Sequence, residues 1–127
     1  MRAFAAEVIF WLHLVIVLFW VSLFFVPVDW WQGRISFHFY FSLVVILHQF
    51  VWGAIIMPWT KRYRMVCILT TLMQSLRGFK LSRVENYGHS FTEELFARAR
   101  VNVPKIVPTI LTLSIVAASF TLYFLHR

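Results

Sequence analysis

The sequence predicts an all-α membrane protein with three transmembrane helices, an interfacial amphipathic helix and a short cytoplasmic helix. Hydrophobic residues make up 61% of its 127 residues and the mean hydropathy is +0.75, whereas a soluble domain has roughly 45–50% apolar residues. Nine of the twelve basic residues lie between positions 61 and 105, with long apolar runs on either side. Since Lys and Arg beside spans stay cytoplasmic, this segment also predicts the topology.

The first two predicted spans form an antiparallel hairpin and cover about residues 4–26 and about residues 35–57. The apolar run of the first span is longer than the hydrophobic region of a signal peptide, so we interpret it as a retained span. Pro27 ends this span, and a Trp-Trp pair follows in the turn, as is typical of a membrane interface. Pro58 is predicted to close the second span at the opposite interface.

Two shorter helices are predicted within the basic cytoplasmic segment, residues 58–104. Over residues 65–79 the apolar positions repeat at helical spacing on one face, which favours an amphipathic helix in the interface. A short, tilted fourth span is the alternative interpretation of the same run. Further on, the sequence Ser90-Phe91-Thr92-Glu93 has the pattern of a capping box and predicts a helix of about ten residues.

The third predicted span covers about residues 105–123, and Pro108 is tolerable in its first turn. One face of this span carries small side chains, which allow close approach of helices in lipid. The residues of this small-residue face are Ser114, Ala117, Ala118 and Thr121. We expect the third span to pack through this face, either onto the hairpin or onto a partner protein.

The three spans make residues 1–127 a single integral membrane domain with its N-terminus in the cytoplasm and its C-terminus on the far side. We expect the membrane to be the bacterial inner membrane. The positive net charge of +7 lies beside apolar spans rather than on a folded basic domain, and no nucleic-acid-binding motif is present, so nucleic acid is not an expected partner. The bases expected to contact anionic lipid headgroups or an acidic protein are Lys61, Arg62 and Arg64.

His13 and His48 are the sharpest candidates for a chemical role. Both lie nine residues from the cytoplasmic end of their span, so the two imidazoles are predicted at similar depth. Two imidazoles at one depth can serve as the axial ligands of a b-type haem. On this hypothesis His13 and His48 are the cofactor-binding residues. The competing interpretation is that each histidine forms a hydrogen bond across helices.

No catalytic constellation and no metal site is predicted. Cys67 is the only cysteine, so an intramolecular disulfide and a cysteine-based zinc site are both excluded. Without an obvious base nearby, an inert packed thiol is expected at this position. Glu7, in the first turn of the first span, is expected to have an interfacial role with a neighbour such as Arg2.

Three stretches resemble a family of small bacterial membrane proteins of unknown function. These proteins have a histidine in the first span, a Cys-Pro-Leu-Thr-x-Leu-Glu core with a downstream Leu-Arg, and a Tyr-x-Gly-x-Phe-like stretch. The corresponding stretches are Leu12-His13-Leu14, Cys67-Ile68-Leu69-Thr70-Thr71-Leu72-Met73 with Leu76-Arg77, and Tyr87-Gly88-His89-Ser90-Phe91. Ile68 and Met73 depart from the proline and the acid of the core. The resemblance implies the three-span layout and no particular activity.

These observations together predict a small, non-catalytic accessory or assembly subunit of a larger inner-membrane protein complex. A chain of 15.1 kDa with three spans encloses little interior of its own. Its 14 Phe, 6 Trp and 4 Tyr side chains offer a large lateral contact area to other membrane subunits. A b-type haem-binding redox protein, with His13 and His48 as ligands, is the alternative.

Overall fold

The computed structural model describes residues 1–88, 90–104 and 106–126, and this part of the chain contains helices and loops without a strand. The helices are α1 (Arg2–Ser22), α2 (Arg34–Thr60), α3 (Ile68–Leu76), a 3-10 turn (Val84–Tyr87), α4 (Phe91–Arg98) and α5 (Ile106–Leu125). Among the described residues α1, α2 and α5 are long and apolar enough to cross a membrane. The prediction of an all-α membrane protein with three spans is therefore confirmed.

The ends of the spans differ from the predicted ones by a few residues. Helix α1 ends at Ser22 and short turns then lead to Pro27. Helix α2 continues past Pro58 to Thr60, so this proline lies inside the last turn instead of closing the helix. Lys61 is the C-cap residue of α2. Its backbone is left-handed (φ 57°), and its amide donates to the Met57 carbonyl at 2.9 Å.

The third span, α5, begins at Ile106, and Pro108 lies in its first turn as predicted. The predicted start of this span, Lys105, falls outside the described residues, as does His89 of the third resemblance stretch.

The three spans meet at buried polar side chains. The Trp20 indole N–H of α1 donates to the Ser42 hydroxyl of α2 at 2.8 Å, and the Ser42 and Ser119 hydroxyls are hydrogen-bonded at 2.9 Å. Stacking of Phe39 on Tyr123 continues the contact between α2 and α5. The last two pairings make α5 antiparallel to α2. The contacts of Phe19 with Phe41 and of Phe24 with His38 show that α1 is antiparallel to α2 as well. Helix α5 packs mainly along α2, whereas α1 packs mainly along α3.

After α2 the chain turns back along the helix it has just left. Residues 63–67 form neither helix nor strand, and the Arg64 carbonyl lies so close to Gly53 that a Cβ at position 53 would overlap it. The Tyr63 ring stacks beside Phe50 with the centroids 6.3 Å apart. The residues that follow Lys61 are thus carried back alongside the last turns of α2, because only glycine permits so close a backbone approach.

Helix α3 has nine residues, or about 13 Å, which is too short to cross a bilayer. The alternative of a fourth span is therefore excluded. The helix lies lengthwise along α1 and buries Thr71, Met73 and Gln74 against the protein, while Leu72 is exposed. The Trp52 indole N–H of α2 donates to the Thr71 hydroxyl at 2.8 Å, which explains how a polar side chain is accommodated on this face.

The capping box predicted before α4 is confirmed. The Ser90 hydroxyl accepts the Glu93 amide at 3.1 Å, and the Glu93 carboxylate accepts the Ser90 amide at 2.8 Å. The helix that follows has eight residues, compared with the predicted ten or so, and ends at Arg98. Its first residue, Phe91, is buried against α1 together with Phe10.

The close approach at Gly53 yields a prediction about stability. Alanine normally stabilises a helix interior by about 1 kcal/mol relative to glycine, yet Gly53→Ala should lower the melting temperature because its methyl group would displace the Arg64 carbonyl. Thermal unfolding in detergent measures the effect. Gly88→Ala is the control, since its Cβ would meet the nearest carbonyl at an ordinary 3.4 Å. A Gly53→Ala variant as stable as the parent would contradict the chain reversal.

Candidate functional site

The N-terminal half of α1, α3 and α4 enclose a cluster with an apolar part and a charged part. In the apolar part Ala6, Phe10, Met73 and Phe91 are buried against one another. The Phe91 ring lies with its centroid 5.1 Å from Phe10 and 4.0 Å from His13, and it is stacked on the imidazole. One aromatic side chain of α4 therefore covers two neighbouring turns of α1.

The charged part of this cluster joins two carboxylates and two guanidinium groups. Arg98 of α4 holds Glu7 of α1 with two hydrogen bonds of 2.7 and 2.8 Å. Arg77, directly after α3, holds Glu94 with two bonds of 2.6 and 2.8 Å. Contacts of 2.7 Å between Arg98 and Glu94 and of 3.3 Å between Arg77 and Glu7 close the network. Bidentate ion pairs of this kind fix the relative orientation of the two side chains as well as pairing their charges.

The network decides the charge state of its members. Burial raises the pKa of Glu94, but the hydrogen bonds from Arg77 and Arg98 outweigh burial and hold this pKa below its ordinary value. The pKa of Arg98 is raised, chiefly by its hydrogen bonds to Glu7. The Arg98 guanidinium also lies 3.9 Å from the centroid of the Phe10 ring. All four groups are thus charged near neutral pH, and they stabilise the docking of α4 on α1.

His13 lies at the apolar end of the cluster, beside the only cysteine. Its Nε2 atom is 3.8 Å from the Cys67 Sγ atom, while its Nδ1 atom is buried without a hydrogen-bond partner among the described residues. The three stretches that resemble the bacterial family meet here: His13 comes from the first, Cys67 and Arg77 from the second, and Phe91 from the third. The resemblance itself stays a prediction.

The haem hypothesis requires an imidazole nitrogen of His13 that can reach iron. In the observed arrangement Nε2 faces the Cys67 thiol and Phe91 covers one face of the ring. His48, the other predicted ligand, is half-buried on α2. Haem ligation through Nε2 would therefore require the contact with Cys67 to be given up, whereas stacking on Phe91 does not cover the nitrogen lone pairs, which lie in the plane of the ring. No group of three His, Cys, Asp or Glu side chains within the described part is arranged to hold a metal ion.

The bases predicted to contact lipid or a partner differ in their surroundings. Lys61 and Arg62 are exposed. Arg64 is half-buried, and its guanidinium lies 5.3 Å from the ring centroid of Tyr87 in the 3-10 turn. The sequence grouped these bases with Arg77 and Arg98, whereas in the structure the latter two are neutralised by carboxylates.

The small-residue face of α5 points away from α2. All four of its residues are exposed, and α5 contacts α2 through Ser119, Phe120 and Tyr123 on its other side. The expectation that this face packs onto the hairpin is therefore wrong. The reason is that the Ser119 hydroxyl reaches Ser42, and this hydrogen bond turns the other side of α5 toward α2. Packing onto a partner is the remaining part of that expectation.

Sequence reasoning missed the charge network and two buried polar side chains of α2, Arg34 and His38. The spacing of Glu94 and Arg98, four residues apart on a helix, was the one local signal of the network. At the other end of the bundle Arg34 is buried and donates to the Leu23 and Phe24 carbonyls at 2.7 and 3.0 Å. These bonds satisfy free carbonyls at the end of α1. His38 is also buried there, against Phe24.

Comparison of the chain with protein-family models, with curated proteins and with solved structures finds no match.

The depressed pKa of Glu94 yields a prediction about acid stability. A carboxyl group whose folded pKa is lowered stabilises the fold above its unfolded pKa of about 4.3, and this stabilisation is lost as the pH falls through the folded pKa. Glu94→Gln should therefore lower the melting temperature at pH 7 and reduce its further fall on acidification. Thermal unfolding across this pH range measures both effects. Glu85→Gln, which removes an exposed carboxylate, is the control. An equal fall of the melting temperature with pH in the parent protein, Glu94→Gln and Glu85→Gln would contradict the stabilising role of Glu94.

The haem hypothesis yields a spectroscopic prediction. If His13 and His48 ligate haem, protein purified from haem-replete cells shows a Soret band with a bis-imidazole spectrum. Substituting either histidine with alanine should then abolish the band. A colourless preparation from such cells would end this hypothesis.

Proposed function

We propose that the protein is a small non-catalytic accessory or assembly subunit of a larger inner-membrane complex, with α5 as its contact helix. The observation that carries this proposal is the exposure of the small-residue face of α5, on the side opposite its contact with α2. Helix association in lipid depends on close van der Waals fit and on hydrogen bonds between helices rather than on the hydrophobic effect. Small residues on an exposed face meet the first of these requirements.

Hydroxyl groups on the same face meet the second requirement. Ser114 and Thr121 lie two turns apart, and their side chains form no hydrogen bond to the described part of the chain. Lipid tails offer no acceptor or donor to such groups, whereas a neighbouring helix does. Between them, Ala117 and Ala118 leave room for a second backbone to approach. The face therefore suits one partner helix running alongside α5.

The polar groups inside the chain support a role in assembly rather than in a reaction. Ser42 and Ser119 connect the spans, Trp52 anchors α3, and the charges of Arg77 and Arg98 dock α4. Each of these contacts stabilises the position of one element against another. The outer surface of α5 is then presented by a defined scaffold.

The proposed orientation places the N-terminus and the basic segment in the cytoplasm. Arg2 and Lys61 lie at the same end of the antiparallel pair α1 and α2, and the bases of the 58–104 segment follow. At the opposite end the turn between α1 and α2 carries one acid, Asp29, and Arg34, whose guanidinium caps α1. The excess of bases at the first end favours its retention in the cytoplasm.

The proposed contact face yields a prediction about complex formation. Ala118→Leu inserts a bulky side chain into the small-residue face and should weaken association with the partner by preventing close approach. Mild-detergent native electrophoresis followed by mass spectrometry of the retained proteins measures the association. Leu113→Phe is the control, because it adds volume at an exposed position of α5 on the flank of this face. Migration of the parent protein only as a lone small species would count against the proposed function.

A further inference from the structure

The basic residues after α2 are held at the depth of that helix's last turns. The left-handed backbone at Lys61 reverses the chain, and the Arg64 carbonyl then packs on Gly53. Gly53 lies seven residues before Thr60, a distance of about 10 Å along the helix. The backbone at Arg64 is consequently brought back alongside the apolar part of α2 instead of extending away from it. We call Lys61, Arg62 and Arg64 the basic turn.

No acidic side chain in the described part of the chain is the counter-ion of the basic turn. Glu7 and Glu94 are both engaged by Arg77 and Arg98, and none of the three bases of the basic turn forms an ion pair with a described residue. The Glu93 carboxylate is bound at the start of α4. Of the remaining acids, Asp29 lies at the opposite end of α2, and the exposed Glu85 forms no ion pair with a described residue. The basic turn is therefore open to an anion from outside the described chain.

Two aromatic side chains flank Lys61 and Arg62 at different depths: Trp59 lies at the end of α2, whereas the Tyr63 ring packs beside Phe50. Trp59 and Tyr63 are both exposed, on either side of Lys61 and Arg62 in the sequence. Arg64, over the ring of Tyr87, joins the basic turn to the 3-10 turn, which begins directly after Arg83. An exposed Trp at the end of an apolar helix is typical of the headgroup region of a bilayer. Lys61 and Arg62, which follow Trp59 at this end of α2, are therefore expected at the depth of the lipid phosphates.

We propose that the basic turn binds the headgroup phosphate of an anionic phospholipid. Charge complementarity and depth both favour this ligand, because bases close to a membrane surface attract anionic lipid. An acidic protein would have to enter the headgroup layer expected around Trp59 to reach Lys61 and Arg62. The proposal goes beyond the proposed function, since it does not depend on α5 having a partner.

The test uses the full-length protein in lipid nanodiscs of phosphatidylcholine, with and without phosphatidylglycerol. Phosphatidylglycerol should raise the melting temperature of the parent protein, and the doubly substituted variant Lys61→Gln/Arg62→Gln should lose most of this shift. The charge-matched control Lys80→Gln/Arg100→Gln removes two other exposed bases and should keep the shift. Equal melting temperatures of all three proteins in pure phosphatidylcholine show that the substitutions leave the fold intact.

Three results would overturn the proposal. The first is a variant of the basic turn that keeps the full shift, and the second is a control that loses as much of it as that variant does. The third is an equal shift when inorganic phosphate is added to nanodiscs of pure phosphatidylcholine, since the anion would then not be a lipid. If the double variant does not fold, native mass spectrometry of Lys61→Gln decides: retention of as much phosphatidylglycerol as by the parent protein counts against the proposal.

Discussion

The structure depends on one constraint of the bilayer: apolar side chains gain little by leaving lipid for one another, so spans need specific contacts to stay together. Ser42 provides such a contact at the point where the three spans meet. It is fully buried and is hydrogen-bonded to Trp20 on α1 and to Ser119 on α5. The direction in which Ser119 points also fixes the rotation of α5, and with it the side of α5 that remains exposed.

The contact between Gly53 and the Arg64 carbonyl connects the fold to the basic turn, the proposed site for a lipid phosphate. Because Gly53 has no side chain, the chain after α2 folds back instead of leaving the membrane surface. The same reversal sets the depth of the basic turn, brings Cys67 to His13, and starts α3 along α1. One glycine and one left-handed residue, Lys61, thus position both the bases and the cluster that docks α4.

The sequence predicted those features that depend on local pattern. Hydropathy and length identified the three spans, and the Ser90–Glu93 spacing identified the start of α4. Features that depend on distant partners were not visible. The pairing of Glu7 with Arg98 joins residues that are 91 positions apart. The burial of Thr71 on α3 depends on Trp52, and periodicity shows only that two faces differ. The expectation that the small-residue face packs onto the hairpin was wrong because the rotation of α5 is set by Ser119.

The central claim is that the chain crosses the membrane three times, with the basic segment on the side of the N-terminus. Single-cysteine labelling with a membrane-impermeant reagent, in a Cys67→Ala background, tests it most directly. Cysteines at Arg2 and Arg83 should react from one side of the membrane, and cysteines at Asp29 and His126 from the other. Labelling of both chain ends from the same side would contradict the three-span topology and the proposals built on it.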